Sequence, residues 1–156
     1  MDKQITYVDL DGVLVDLIGA VYNKYAHALG DDSFDIGQII DQDADLFLDA
    51  APLPDAVEAF KALCNTEHLD VYILSTAPWD NPGAWTNKRL WVEKHLGQDA
   101  HKRLILSHNK HLCHGDFLID DRTKNGADKF NGELIQFGNN EFPTWEEVLN
   151  YLGANK

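Results

Sequence analysis

The sequence predicts an α/β fold: a parallel sheet covered by helices, with a small helical insertion after the first strand. Three observations carry this. Short β-type apolar runs alternate with longer stretches of helical period. The run Val71-Tyr72-Ile73-Leu74 is apolar almost throughout, as suits a strand buried on both faces. Nearly sixty residues separate the first two strands, far more than one crossover helix needs.

In chain order, the first strand covers residues 4–10. A helix over 16–29 follows, with Leu17, Val21, Tyr25 and Leu29 on one face and Gly30 as its stop. Residues 16–52 read as a small helical cap, leaving 1–15 and 53–156 as the core domain. Pro52 and Pro54 punctuate the return to a core helix carrying Val57, Phe60 and Leu63. The second strand covers 69–74. After the loop from Pro78 to Gly83, a helix over 85–96 is expected to turn Leu90 and Leu96 inward, with Gly97 past its end. Further strands are expected over 103–107, 117–120 and 133–137. In the last helix Thr144 is the cap, Glu147 is spaced to reach back to the Thr144 amide, and Gly153 ends the pattern.

A length of 156 residues suits one domain with a small insertion. The 13 Lys and Arg against 26 Asp and Glu give a formal charge of −13, which argues against tracking a nucleic acid polymer or an anionic membrane. A tight site for a small anion stays open, because one metal ion and one lysine can reverse the local field. Cys64 and Cys113 are too few for a disulfide framework and fit reduced thiols. No secretory pattern precedes the first strand, and no apolar run has the length of a membrane span. A cytoplasmic setting is therefore expected.

Two places put paired carboxylates at the C-terminal end of a predicted strand: Asp9 and Asp11 in Val8-Asp9-Leu10-Asp11-Gly12-Val13, and Asp120 and Asp121 in Phe117-Leu118-Ile119-Asp120-Asp121-Arg122. Open parallel sheets bind ligands outside these strand ends, where strand order reverses. Carboxylates converging there repel unless a cation sits between them, and hard oxygen ligands describe Mg²⁺. Asp-x-Asp-Gly alone could be a simple turn. A calcium loop is excluded, because counting from Asp9 its sixth and twelfth positions hold Leu14 and Ala20 instead of Gly and Glu.

These residues resemble the motifs of the haloacid dehalogenase-like phosphohydrolases. Asp9-Leu10-Asp11-Gly12-Val13 is similar to the first motif, and Ile73-Leu74-Ser75-Thr76 to the second. Lys110 is similar to the third, and Asp120-Asp121 to the fourth. More narrowly, the chain resembles the cytosolic type C 5'(3')-deoxyribonucleotidases through Phe47-Leu48-Asp49-Ala50-Ala51-Pro52-Leu53-Pro54, Trp91-Val92-Glu93-Lys94-His95-Leu96-Gly97, and the stretch from Leu104 through Lys110 to Arg122. The insertion is shorter than that family's cap and lacks its run of aromatic residues.

The resemblance implies a three-layer, Rossmann-like sheet in the order 3-2-1-4-5, which sets the strands ending in Asp9, Ser75 and Asp120 side by side. It implies a Mg²⁺-dependent phosphomonoester hydrolase acting on a small monoester, a deoxyribonucleoside monophosphate. Asp9 would be the nucleophile. Asp11 would be the proton donor and later acceptor, a task that needs it protonated when substrate arrives. Mg²⁺ would be held by Asp9, the Asp11 carbonyl and Asp121, with Asp120 behind them. Ser75, Thr76 and Lys110 would bind the phosphate, and Leu17, Phe47 and Trp79 would line a substrate pocket. A phosphatase for another metabolite, such as a sugar phosphate, is the alternative within enzymes. A phospho-accepting receiver module fits poorly, since the third strand ends in Ser107-His108-Asn109 with no carboxylate.

The segment His108-Asn109-Lys110-His111-Leu112-Cys113-His114 holds zinc-type ligands, but a lysine among them opposes a cation. The negative charge is itself concentrated. Residues 31–58 carry nine acids and no Lys or Arg, so the excess belongs to the cap and the proposed metal site.

Overall fold

The computed structural model describes residues 2–155. Five strands, β1 (Gln4–Val8), β2 (Leu69–Ser75), β3 (Leu104–Leu106), β4 (Phe117–Asp120) and β5 (Glu133–Gln136), form one parallel sheet in the expected order, β3-β2-β1-β4-β5. Val8 is in register with Ile73 on one side and Ile119 on the other. The strands that run into Asp9, Ser75 and Asp120 are therefore neighbours.

Alternation along the central strands splits the core between two faces. Val8, Val71, Ile73, Ile119 and Ile135 pack with Phe60 and Leu63 of α4 (Ala56–Cys64), Trp91 and Val92 of α5 (Pro82–Leu96), and Trp145 and Val148 of α6 (Trp145–Tyr151). Tyr7, Leu74 and Leu118 point the other way, onto Ala127 and Phe130. Right-handed crossovers explain the division. The chain steps one way from β1 to β3, which sets α4 and α5 on one face. It steps the other way from β3 to β5, over the opposite face, where the third layer is thin and includes the 3₁₀ turns Lys110–Leu112 and Ala127–Lys129.

Between β1 and α4 lie three short helices: α1 (Leu17–Lys24), α2 (Ile36–Gln42) and α3 (Leu46–Asp49). Asp16 caps α1 by accepting from the Gly19 amide at 3.0 Å, and a Cβ on Gly19 would strike that carboxylate. The expected helix over 16–29 is shorter than predicted. Past Tyr25 the chain tightens into a 3₁₀ turn (Ala26–Ala28), so Leu29 leaves the Leu17–Val21 face and is exposed. In α5, Leu90 is exposed as well. The buried stripe is Ala84, Lys88, Trp91, Val92 and, as expected, Leu96, and the helix begins at Pro82 rather than at residue 85. The Thr144–Glu147 capping box forms as predicted. No helix among the described residues is long and apolar enough to cross a membrane.

Candidate active site

After β1 the chain turns back on itself: the amides of Val13, Leu14 and Val15 all reach the Leu10 carbonyl. Gly12 sits in this turn at φ +79, where a Cβ would lie 2.2 Å from Asp121 Oδ2. Only glycine lets the β1 loop come this close to the β4 loop.

Carboxylate oxygens of Asp9, Asp120 and Asp121 all lie within 4.8 Å of one another. Asp9 and Asp120 are buried, and so is Lys110, which reaches Asp120 Oδ2 at 2.6 Å and Asp9 Oδ1 at 3.2 Å. Burial, and then the charge of Asp9, push Asp120 up to about 7, against the pull of Lys110. Asp121 is raised by the same two causes in the same order, with Arg122 opposing. For Lys110, burial works to lower its pKa, but Asp9 and Asp120 outweigh it and hold the ammonium above its ordinary value. The donor set fits a hard divalent cation. Both Asp120 oxygens are engaged, one by Lys110 and the other by the Arg122 amide at 3.0 Å, whereas Asp121 Oδ1 is buried without a hydrogen-bond partner.

A second buried lysine faces this cluster. Lys88 on α5 donates to Asp11 Oδ2 at 2.6 Å and to Ser75 Oγ at 2.9 Å, with its ammonium 5.4 Å from the Phe47 ring centroid. A cavity of about 340 Å³ opens beside it. On the sheet side the cavity is lined by Asp11, Gly12, Thr76, Pro78, Asp121 and Arg122, and on the helical side by Leu17, Ile18, Ile40, Asp41 and Phe47.

Residues 35–149 match the family described as 5' nucleotidase, deoxy (pyrimidine), cytosolic type C protein. The chain belongs to this family. It is 49% identical over 157 residues to a protein of Vibrio phage KVP40 assigned as a 5'(3')-deoxyribonucleotidase, an alignment covering 97% of this chain and 85% of the other. It is 30% identical over 166 residues to the mitochondrial 5'(3')-deoxyribonucleotidase of Mus musculus, covering 91% and 70%. Among solved structures, a haloacid dehalogenase-like family hydrolase from Streptococcus pneumoniae superposes with a TM-score of 0.55 at 16% identity, over 96% of this chain and 98% of that one. A haloacid dehalogenase-like hydrolase from Burkholderia xenovorans LB400 gives 0.51 at 13% identity, over 86% and 80%. At these identities the structural likeness is one of fold.

In this type C nucleotidase family member, Asp9, Lys110, Asp120 and Asp121 converge, and Asp11 and Ser75 meet through Lys88. Thr76 lines the cavity, but its hydroxyl donates to the Ser107 carbonyl at 2.7 Å, so that proton ties β2 to the end of β3. Leu17 and Phe47 both line the cavity. Trp79 is not among its lining residues. It is 77% exposed, and its ring lies edge-on to Trp85 and His108 at 6.4 and 5.9 Å. The zinc-type ligands of 108–114 do not converge: His108 packs on these tryptophans, and Asp9, Asp120 and Asp121 form the one metal-like cluster among the described residues.

Sequence reasoning missed Lys88, Ile40 and Asp41. A signal for Lys88 was present, because it shares the stripe of Ala84, Trp91 and Val92 at helical spacing. A lysine on an apolar stripe needs a buried anionic partner.

Proposed function

We propose that this chain is a Mg²⁺-dependent phosphomonoester hydrolase that removes phosphate from deoxyribonucleoside monophosphates. The observation that carries the proposal is the meeting of Asp9, Asp120, Asp121 and Lys110 at the ends of adjacent strands, opposite the Lys88–Ser75 pair. The deoxyribonucleotide assignment rests on the relatives.

An Asp9 carboxylate oxygen attacks phosphorus, and the bond from phosphorus to the ester oxygen breaks. The departing alkoxide takes a proton from Asp11, which then accepts one from the water that cleaves the aspartyl-phosphate, returning Asp9 and releasing inorganic phosphate. Lys110 pairs with Asp9 and so fixes the direction of attack. An ammonium has three N–H donors. Lys88 spends one on Asp11 and one on Ser75, leaving a third for a phosphoryl oxygen. Asp9 and Asp121 would hold Mg²⁺ together with the Asp11 carbonyl, with Asp120 held back by Lys110. When bound, the ion supplies positive charge against the phosphoryl oxygens. The helices of residues 16–52 serve as the cap that closes over the leaving group. Free Cys64 and Cys113 suit a reducing cytoplasm.

A panel of phosphomonoesters with Mg²⁺ tests the reading. Deoxyribonucleoside monophosphates and para-nitrophenyl phosphate should be hydrolysed, and Asp9→Asn should lower kcat at least about 10³-fold. Full activity in Asp9→Asn would defeat the mechanism. Preference for sugar phosphates would defeat the nucleotide assignment.

A further inference from the structure

The helical side of the cavity is nearly all apolar. Leu17, Ile18, Ile40 and Phe47 contribute hydrocarbon, and Asp41 contributes the one polar side chain. Asp41 lies in the last turn of α2, which is held over the strand ends where the Asn81 side chain donates to the Ile40 carbonyl at 2.8 Å. Asn81 is itself buried, so this anchor is firm. Asp41 takes part in none of the ion pairs among the described residues. Beyond it lies an open groove lined by Asp35, Asp41 and Asp80. A monoester with its phosphate at the strand ends must send its leaving group between these apolar walls, toward a free carboxylate.

We propose that Asp41 is a specificity-determining residue that selects leaving groups presenting an amino group, and among pyrimidines selects cytosine over uracil and thymine. The inference rests on the deoxyribonucleotidase reading and adds to it. Apolar walls accept the faces of any base and do not distinguish one from another. A carboxylate can only accept hydrogen bonds. Cytosine offers it the 4-amino group, whereas uracil and thymine place a carbonyl oxygen at the same position, setting lone pair against lone pair. An asparagine there could turn either its carbonyl or its amide N–H₂ toward the base, and so would accept both.

The experiment compares dCMP and dUMP, which differ at position 4, amino against carbonyl, and in the proton that uracil carries on N3, with para-nitrophenyl phosphate as a reference substrate. For the unmodified protein, kcat/KM should favour dCMP by about tenfold or more. In Asp41→Asn the dCMP/dUMP ratio should fall toward one, with the change residing in KM. A purely structural role for Asp41 would lower both substrates together and leave the ratio alone, and that result overturns the inference. Preference of the unmodified protein for dUMP overturns it too. If para-nitrophenyl phosphate is turned over but neither nucleotide is, the deoxyribonucleotidase reading itself fails.

Discussion

Charge placed in the interior decides what individual residues do here. Lys88 and Lys110 are both buried, and each is stable there because carboxylates face it. Lys88→Met keeps much of the volume and apolar stem but removes donors from Ser75 and from the substrate. We expect weaker competitive inhibition by inorganic phosphate and a KM raised roughly tenfold, the loss of one charge-assisted hydrogen bond. Thermal stabilisation by added Mg²⁺ should persist, since Lys88 touches none of the three clustered acids. Gly12→Ala should impair Mg²⁺ binding, read as a smaller Mg²⁺-induced rise in Tm, because the new methyl would displace Asp121 and the backbone would be strained at φ +79. Asp120 gives a pH dependence. Its ordinary value is 3.8 and burial raises it to about 7 in the folded protein, so between these values the folded state holds a proton that the unfolded chain has released. In metal-free protein, Tm should therefore fall as pH rises from about 4 through 7. Added Mg²⁺, which on the proposed function would be held by the deprotonated acids, should oppose that fall, and thermal melts in EDTA and in Mg²⁺ would show it. The Asp-x-Asp-Gly and Asp-Asp pairs were legible in sequence because several charged residues at strand ends leave few other readings. Asp41 was not, since an exposed acid on a short helix looks like ordinary solvated surface until the fold sets it over a cavity.

Among the elements, α5 does two jobs. One face carries Lys88 into the site, while Asn87 Nδ2 and Trp91 Nε1 each donate at 2.8 Å to carbonyls of the preceding segment, Ala44 and Ala50. Gly83 lets the helix start pack against Ala44, where a Cβ would approach to 2.7 Å. The helices between β1 and α4 and the buried Lys88 are thus fixed to one rod. Trp91→Phe should leave the Ala50 carbonyl without its buried donor. The expected cost is about 1–3 kcal/mol, seen in urea unfolding as a lower midpoint with an unchanged slope. Strand positions were legible within a residue or two because each is a short apolar run between turn residues. Helix ends were less so. The outcome after Tyr25 depends on a 3₁₀ turn that periodicity does not encode, and in α5 Leu96 is buried as expected while Leu90, six residues before it, falls on another face, because helical neighbours lie three or four apart.

At the scale of the whole molecule, sheet order does the assembling: β1 lies between β2 and β4, so residues distant in sequence meet without any long loop having to carry them. The charge distribution adds a filter on what reaches them. Some of the nine acids in residues 31–58 are structural: Asp43 pairs with Lys24 and Tyr25, and Asp35 caps α2. Asp32, Asp45 and Asp49 are exposed and join no ion pair among the described residues, which leaves them to set the local field. A monoester carries about two negative charges and, on the proposed function, would meet the cation held by the clustered acids directly, whereas an oligonucleotide would bring a row of phosphates past the acidic helices. Each unit charge at about 10 Å in water contributes roughly 0.4 kcal/mol of repulsion, so three together, about 1.2 kcal/mol, amount to about eightfold in affinity at low salt. Replacing Asp32, Asp45 and Asp49 with Asn should therefore strengthen inhibition by a single-stranded deoxyoligonucleotide about eightfold at low ionic strength. KM for a mononucleotide should change less. The difference should vanish near 0.5 M salt, where the screening length is only about 4 Å. Equal inhibition of both proteins at low salt would mean that shape, not charge, keeps polymers out.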